Sequence, residues 1–200
     1  MKKVVVAGGL ASLLTVSACS DEGNNDGQTS TESEEETAAA ELEPIDVEET
    51  EEGTFEVYKQ ADGESVEAGP VHLEVEQALV GSAQLDGYVA AFTSDDQIDY
   101  IQLDVNVENT SSEDVHFAFG HANVTTNTGE EVEVPNIVLS DESDHDLQGN
   151  DTQSGSFIYP LEESRAAEIQ ELEFVFTGPS ESADSEQLAE DVHVKVEFEG

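Results

Sequence analysis

The chain contains a single cysteine, Cys19, and no tryptophan among its 200 residues. One cysteine excludes a disulfide within the chain, so packing and hydrogen bonding alone must stabilise its fold. The absence of tryptophan also removes the largest aromatic side chain that a core can bury. Any core formed by this sequence must therefore be held together by aliphatic side chains and by its 8 phenylalanines.

Positive charge is also scarce, because 5 lysine and arginine residues stand against 48 aspartate and glutamate residues. Such a polyanion repels the phosphates of nucleic acids and the head groups of anionic lipids, which excludes nucleic acid as a partner. An acidic excess of this size is similar to that of surface proteins from salt-loving or alkaliphilic bacteria. It predicts that added salt or divalent cations stabilise the folded domain, since counterions screen the self-repulsion.

The amino-terminal segment is typical of a secretory signal peptide. Lys2 and Lys3 precede an apolar run over residues 4–16, which is too short for a transmembrane helix of about 20 apolar residues. The tetrad Val16-Ser17-Ala18-Cys19 resembles a bacterial lipobox. That resemblance implies cleavage after residue 18 and a lipid on Cys19, whereas an ordinary cleaved signal would not require a cysteine there. Residues 1–18 are thus predicted to be a lipoprotein signal peptide, and Cys19 to anchor the protein at the extracytoplasmic face of the cell membrane.

Residues 19–52 are poor in apolar side chains, rich in acidic ones, and contain no lysine or arginine. Such a composition cannot offset the entropy lost on ordering, so the segment is predicted to be a disordered acidic tether. Repulsion between its like charges extends the linker and would hold a domain away from the membrane. The pattern changes at residue 53, and residues 53–200 are predicted to form one domain.

From residue 53 onward, apolar and polar residues alternate with the period of half-buried β-strands. The alternation is clearest over residues 101–108, where Ile, Leu, Val and Val are separated by polar residues. A hairpin turn is predicted at Asn127-Thr128-Gly129, a weaker strand over residues 88–92, and a helical turn within residues 161–167. About eight to nine short strands, separated by turn signals, predict an all-β, immunoglobulin-like β-sandwich.

Five segments between residues 66 and 198 carry a family resemblance. They are residues 69–75, which begin Gly69-Pro70-Val71, residues 100–110 with their terminal Asn-Thr, residues 123–134, Gly155-Ser156-Phe157-Ile158-Tyr159-Pro160, and residues 172–176. In this order they resemble the largely uncharacterised immunoglobulin-like extracellular domain of lipoproteins from Gram-positive bacteria. The resemblance implies a β-sandwich outside the membrane that acts as a binding or interaction module, and it carries over no catalytic residue. Residues 79–99 depart from the family because they are longer and more polar.

The sequence shows no arrangement typical of a catalytic site. Cys19 is committed to lipid, no glycine-rich phosphate loop occurs, and carboxylates are too numerous for one acid–base pair to stand out. His72, His116 and His193 fall on the outward phases of their strands. His116 and His121 are close enough to meet across a turn, but two histidines without fixed geometry make a poor zinc site. The protein is therefore predicted not to be an enzyme.

One loop has the beginning of a calcium-binding pattern. Asp144, Asp146 and Gln148, followed by Gly149, have the spacing with which hard oxygen ligands open a calcium loop. The closing bidentate glutamate is missing, because Gly155 stands at the twelfth position. The loop is therefore either a solvated acidic loop or a weak calcium site suited to an extracellular setting.

Two functions follow from these observations. The first is a lipid-anchored extracytoplasmic domain that attaches to the membrane through Cys19 and binds another protein of the cell surface or envelope. The alternative is an acidic, cation-binding or structural surface protein with weak calcium sites. No cofactor other than calcium is expected in either case.

Overall fold

The computed structural model describes residues 42–91, 93 and 95–199. These residues form twelve strands, a short helix α1 at Gly87–Ala90, and a 3₁₀ turn at Ala166–Glu168. The strands are β1 (Asp46–Glu49), β2 (Gly53–Asp62), β3 (Ser65–Ala68), β4 (Val71–Leu85), β5 (Gln97–Asn109), β6 (Val115–His116), β7 (Asn123–Thr126), β8 (Glu131–Val132), β9 (Asp146–Leu147), β10 (Thr152–Leu161), β11 (Glu171–Phe176) and β12 (Val192–Glu197).

The strands form two large antiparallel sheets and one small one. The larger sheet has the order β1-β2-β4-β5-β10, with β3 paired to β4, and the second has the order β12-β11-β7-β8. Strands β6 and β9 form a two-stranded sheet. The two large sheets share one buried core, so the all-β sandwich predicted from the sequence is confirmed.

The core lies between the inner faces of the two large sheets. On β5, the alternating residues Ile101, Leu103 and Val105 are at most 1 % exposed, as their period of two predicts. Phenylalanines fill the centre, and the rings of Phe119 and Phe157 meet edge to face with centroids 5.9 Å apart. Aliphatic and phenylalanine packing therefore replaces the tryptophan and the disulfide that the chain lacks.

A second, smaller apolar cluster lies on the outer face of the six-stranded sheet. Its buried members are Ala83, Leu85, Val89, Tyr100 and Ile158. Tyr100 and Ile158 are direct chain neighbours of core residues, and consecutive side chains of a strand point to opposite faces of the sheet. The six-stranded sheet is therefore partly apolar on both faces.

Asn109, at the end of β5, is a fully buried polar residue that joins three segments. Its Nδ2 donates to the carbonyl oxygens of Glu113, Leu147 and Gln148 at 2.7, 3.2 and 3.1 Å. Its Oδ1 accepts from the backbone N–H and the hydroxyl of Ser111 at 3.0 and 2.9 Å. One amide thus fixes the turn after β5 and attaches it to β9.

Glu130 makes a comparable connection beyond the predicted hairpin, whose Gly129 has a φ of +93° as expected. Its carboxylate accepts hydrogen bonds from the backbone N–H groups of Glu162, Glu163 and Ser164 at 2.7, 3.1 and 2.7 Å. These bonds outweigh the opposing effect of burial and lower the pKa of Glu130. The carboxylate therefore anchors the loop that follows β10.

The strand predicted over residues 88–92 is wrong in the part that the structure describes. Gly87 has a φ of +56°, and helix α1 begins there instead. Val89 is buried in the outer cluster, together with half-buried Ala90. Packing of this turn against the sheet outweighs the weak alternation in the sequence. The helical turn predicted within residues 161–167 corresponds to the 3₁₀ turn at Ala166–Glu168.

The folded part of the chain begins before the predicted boundary at residue 53. Strand β1 lies inside the predicted tether and pairs with β2 from Asp46 opposite Val57 to Glu49 opposite Thr54. All four of its side chains are exposed, so the strand is held mainly through its backbone and leaves no apolar pattern in the sequence. Residues 1–18, Cys19 and the rest of the predicted tether up to residue 41 lie outside the described residues.

Candidate functional site

The predicted calcium ligands lie in and around β9: Asp144 precedes the strand, Asp146 begins it and Gln148 follows it. Oδ1 of Asp144 accepts the backbone N–H of Asp146 at 3.1 Å, and Oδ1 of Asp146 lies 2.8 Å from Nδ1 of His116. Gln148 has an exposed side chain, and its carbonyl accepts from Asn109. Over the described ranges, no three His, Cys, Asp or Glu side chains are placed to hold one metal ion. Calcium binding by this loop stays a prediction.

Three histidines form a cluster beside this loop. The ring of His145 meets that of His121 edge to face with centroids 4.8 Å apart, and that of His116 with centroids 5.9 Å apart. Burial, followed by the charges of His121 and His116, lowers the pKa of His145, and Asp144 and Asp146 oppose this shift. The sequence suggested only that His116 and His121 could approach each other. His145 joins them because β9 pairs with β6 and brings the loop alongside.

A concavity with an apolar floor and converging polar groups crosses the outer face of the six-stranded sheet. We call it the outer groove, and its volume is about 610 Å³. Its floor contains Phe55 and Val57 of β2, Leu79 of β4, Tyr100 of β5 and Ile158 of β10. One wall is β1 with the turn that follows it, and the other is the segment over residues 138–141.

The rim of the outer groove is acidic on both sides. Asp46, Glu48 and Glu52 line the first wall, and Asp141 lines the second. Asp141 is fixed to β10, because its backbone N–H donates to the carbonyl of Ser156 and its Oδ2 accepts the N–H of Ser156, both at 2.9 Å. Among the residues that the structure describes, no lysine, arginine or histidine lines this groove. Its carboxylates therefore have no basic side chain beside them within the lining.

The basic side chains of the described residues are engaged elsewhere. Lys59 donates to the carbonyl of Ala167 at 2.9 Å, and burial lowers its pKa. Arg165 lies 3.2 Å from a carboxylate oxygen of Asp99. Lys195 lies 3.7 and 4.0 Å from two glutamates of β11. Each of the three thus has its own partner away from the outer groove.

Tyr100 is the most deeply buried polar side chain in the floor. It is 1 % exposed, and its ring meets that of Phe55 edge to face with centroids 5.7 Å apart. Within residues 42–91, 93 and 95–199, no protein group forms a hydrogen bond with its hydroxyl, so the hydroxyl oxygen itself is not fully shielded from solvent. Burial, followed by the charges of Glu48, Tyr58 and Asp46, raises the pKa of Tyr100 to about 12. The groove thus has a protonated phenol without a hydrogen-bond partner in its floor, under the electrostatic influence of its acidic rim.

The sequence did not reveal the outer groove. Its acidic wall, β1, falls in the segment interpreted as a tether, and its second wall follows Pro135 in a stretch without alternation. One feature of the sequence that could have indicated the groove is the pair Tyr100-Ile101. Tyr100 directly precedes the alternating apolar run, so its side chain points to the opposite face of the sheet from Ile101. An apolar residue on the outward phase indicates a sheet that is covered on both faces.

Comparison with known proteins places the chain near proteins whose functions are not known. No family model matches it. Over 156 residues, it is 26 % identical to the SPbeta prophage-derived uncharacterised lipoprotein YonS of Bacillus subtilis strain 168, covering 77 % of this chain and 71 % of that protein. A crystal structure of a functionally unknown protein from Listeria monocytogenes superposes with a TM-score of 0.52 at 13 % identity, covering 73 % and 87 % of the two chains. The structural likeness shows the fold alone, and the immunoglobulin-like family stays a resemblance.

Proposed function

We propose that the protein is a lipid-anchored, extracytoplasmic binding module that contacts its partner through the outer groove. The anchor is proposed from the lipobox-like tetrad that ends at Cys19. The similarity to a Bacillus lipoprotein supports it. The groove supports the binding role, because clefts with an apolar floor and a few converging polar groups are typical binding sites.

The single observation that carries this proposal is the burial of Tyr100 beneath an open groove. A tyrosine that only completes a core is normally hydrogen-bonded through its hydroxyl, as Tyr159 is with the N–H of Ala122 at 3.1 Å. Tyr100 is equally buried but lines an open concavity, where a bound group could satisfy its hydroxyl. A tyrosine is protonated at neutral pH even at its ordinary pKa, and burial raises the pKa of Tyr100 further, to about 12; a protonated phenol suits hydrogen bonding to a ligand and not nucleophilic or basic catalysis.

Site-specific photo-cross-linking in living cells tests this proposal. A photoreactive residue replaces Val57 in the groove floor of the full-length chain, and a control carries it at Glu181, an exposed position outside the groove lining. We expect a discrete cross-linked envelope protein from the Val57 position and none from Glu181. Equal cross-linking from both positions, or none from Val57, would overturn the proposal.

A further inference from the structure

We propose that the outer groove recognises a basic side chain, lysine or arginine, presented by an extended segment of a polypeptide partner. This inference rests on the proposed function and adds the chemistry of the partner. Four features of the groove support it: its charge, its apolar floor, its tyrosine hydroxyl and its extent across the sheet.

The charge of the groove favours a cation. Asp46, Glu48, Glu52 and Asp141 line a space that no basic residue of the described ranges lines, and Lys59, Arg165 and Lys195 are bound elsewhere. Like charges that line one concavity repel one another, and a bound ammonium or guanidinium group relieves that repulsion. An anionic partner would instead increase it. Segments of this chain are themselves rich in acidic residues, so their negative charge disfavours their binding in the groove.

The floor explains why an organic cation fits better than a bare metal ion. Phe55, Val57 and Leu79 offer apolar surface that a hydrated ion cannot use. Lysine and arginine have apolar stems that pack along such surface while the charged head reaches a polar rim. Phe55, which is half-buried and packs edge to face against Tyr100, adds an aromatic ring, and aromatic faces attract ammonium and guanidinium groups.

The Tyr100 hydroxyl supplies a directional contact. A phenol both donates and accepts one hydrogen bond, so its oxygen can accept an N–H from the bound cation. Because no described protein group occupies this oxygen, binding a donor there breaks no internal hydrogen bond. The charges of Glu48 and Asp46 act on the same phenol, and these acids line one wall of the groove. The hydroxyl and the two carboxylates thus define the polar end of the site.

The span of the groove from one wall to the other indicates a polypeptide segment that crosses the strands, and not a free small cation. Its lining extends over β1, β2, β4, β5 and β10, which are neighbours in the sheet. With strands about 4.8 Å apart, this span is about 19 Å, which corresponds to about six residues of extended chain. A lone lysine or arginine side chain would fill only part of it.

The test is binding of a defined peptide to the full-length chain in nanodiscs of neutral phosphatidylcholine, at near-physiological salt. The probe is an acetylated, amidated peptide of about eight residues that alternates lysine with leucine and phenylalanine. We expect Tyr100→Phe to weaken binding about fivefold, because only the hydroxyl is removed. We expect Asp46→Asn with Glu48→Gln to weaken it about tenfold or more, as lost charge-assisted hydrogen bonds do. Unfolding midpoints of both variants check that the fold is retained.

A matched control separates groove recognition from attraction to a polyanion. Glu181→Gln with Glu186→Gln removes the same charge from exposed positions outside the groove lining, and its affinity should change less than about twofold. Equal loss in the control and the groove variants would overturn the inference. If a peptide with glutamate in place of lysine binds the groove as tightly, the inference that the groove recognises a basic side chain is wrong, whereas the proposal that the groove binds a partner stands. Free arginine or cadaverine binding as tightly as the peptide would overturn the polypeptide source.

The two proposals fail in different ways. If no lysine peptide binds but the Val57 cross-linker still captures an envelope protein, the basic-side-chain inference is wrong and the binding module stands. If neither occurs, both are wrong.

Discussion

The substitution Asn109→Asp tests whether one buried amide holds the end of β5 in place. The side chain is 0 % exposed, and its Nδ2 is the donor to three backbone carbonyls on two other segments. Replacing the amide nitrogen by a carboxylate oxygen removes both N–H donors and places negative charge against those carbonyl oxygens. The shape of the side chain is almost unchanged, so packing contributes little to the effect.

The expected loss of stability can be estimated from the donors removed. A buried polar group left without its partner costs about 1–3 kcal/mol, and an uncompensated buried charge costs about 3–5 kcal/mol. We therefore expect Asn109→Asp to lower the free energy of unfolding by about 3–5 kcal/mol at neutral pH. This is a large share of the about 5–15 kcal/mol typical of a folded domain.

Urea unfolding followed by far-ultraviolet circular dichroism at fixed salt measures this loss. The control is Asn106→Asp, the same change on the same strand at a half-buried position whose side chain makes no hydrogen bond within the described residues. The control should cost less than about 1 kcal/mol, most of it from adding one more charge to an acidic surface. Equal losses in the two variants, or a loss below about 1 kcal/mol in Asn109→Asp, would refute the reasoning.

Other predictions concern the remaining polar features. Hydrogen bonds lower the pKa of the Glu130 carboxyl in the folded protein, so this carboxylate stabilises the fold fully above the ordinary pKa of 4.5. The stabilisation is lost as the pH falls through the lower pKa of the folded state. Glu130→Gln should therefore flatten the acid limb of the pH–stability curve. The pKa of His145 is also lowered, so the neutral form favours folding; stability is full above 6.5 and declines below it, and His145→Gln should remove that decline in thermal unfolding. Replacing Cys19 with alanine should release the protein into the medium or leave its signal uncut, as cell fractionation would show; unchanged membrane attachment would contradict the predicted anchor. A calcium site in this loop predicts weak calcium uptake in calorimetry that Asp144→Ala with Asp146→Ala abolishes, and either no uptake or equal uptake by the double variant would exclude a specific site. Finally, the unfolding midpoint should rise steeply with added salt, and an unchanged midpoint would contradict a stabilising role for counterions.

The parts of the fold that could be predicted are those in which local pattern and tertiary burial agree. Strand β5 is one example, because Ile101, Leu103 and Val105 alternate with polar residues and face the shared core. The Gly129 hairpin is another, since its conformation depends on a local backbone requirement. In both, the physical cause lies within a few residues of the chain.

The parts that could not be predicted depend on partners distant in sequence. Strand β1 has only exposed side chains, and its pairing with β2 is made by backbone groups that are the same in every residue. Helix α1 forms because Gly87 adopts a positive φ and because Val89 packs into the outer cluster, which exists only once the sheet has formed. The outer groove and the contact between His145 and His121 likewise arise from strand order, which the sequence did not reveal.

The most direct test of a binding role for the outer groove is amide hydrogen exchange of the anchored protein on native membranes, compared with the purified full-length protein in nanodiscs. A bound partner would cover both walls of the groove and the edge of β1 that pairs with no other described strand. We predict slower exchange over Asp46–Glu49 and residues 138–141 on native membranes, with unchanged exchange over Val192–Glu197 on the second sheet. Identical exchange at both groove walls in the two settings, or protection confined to the second sheet, would contradict the account.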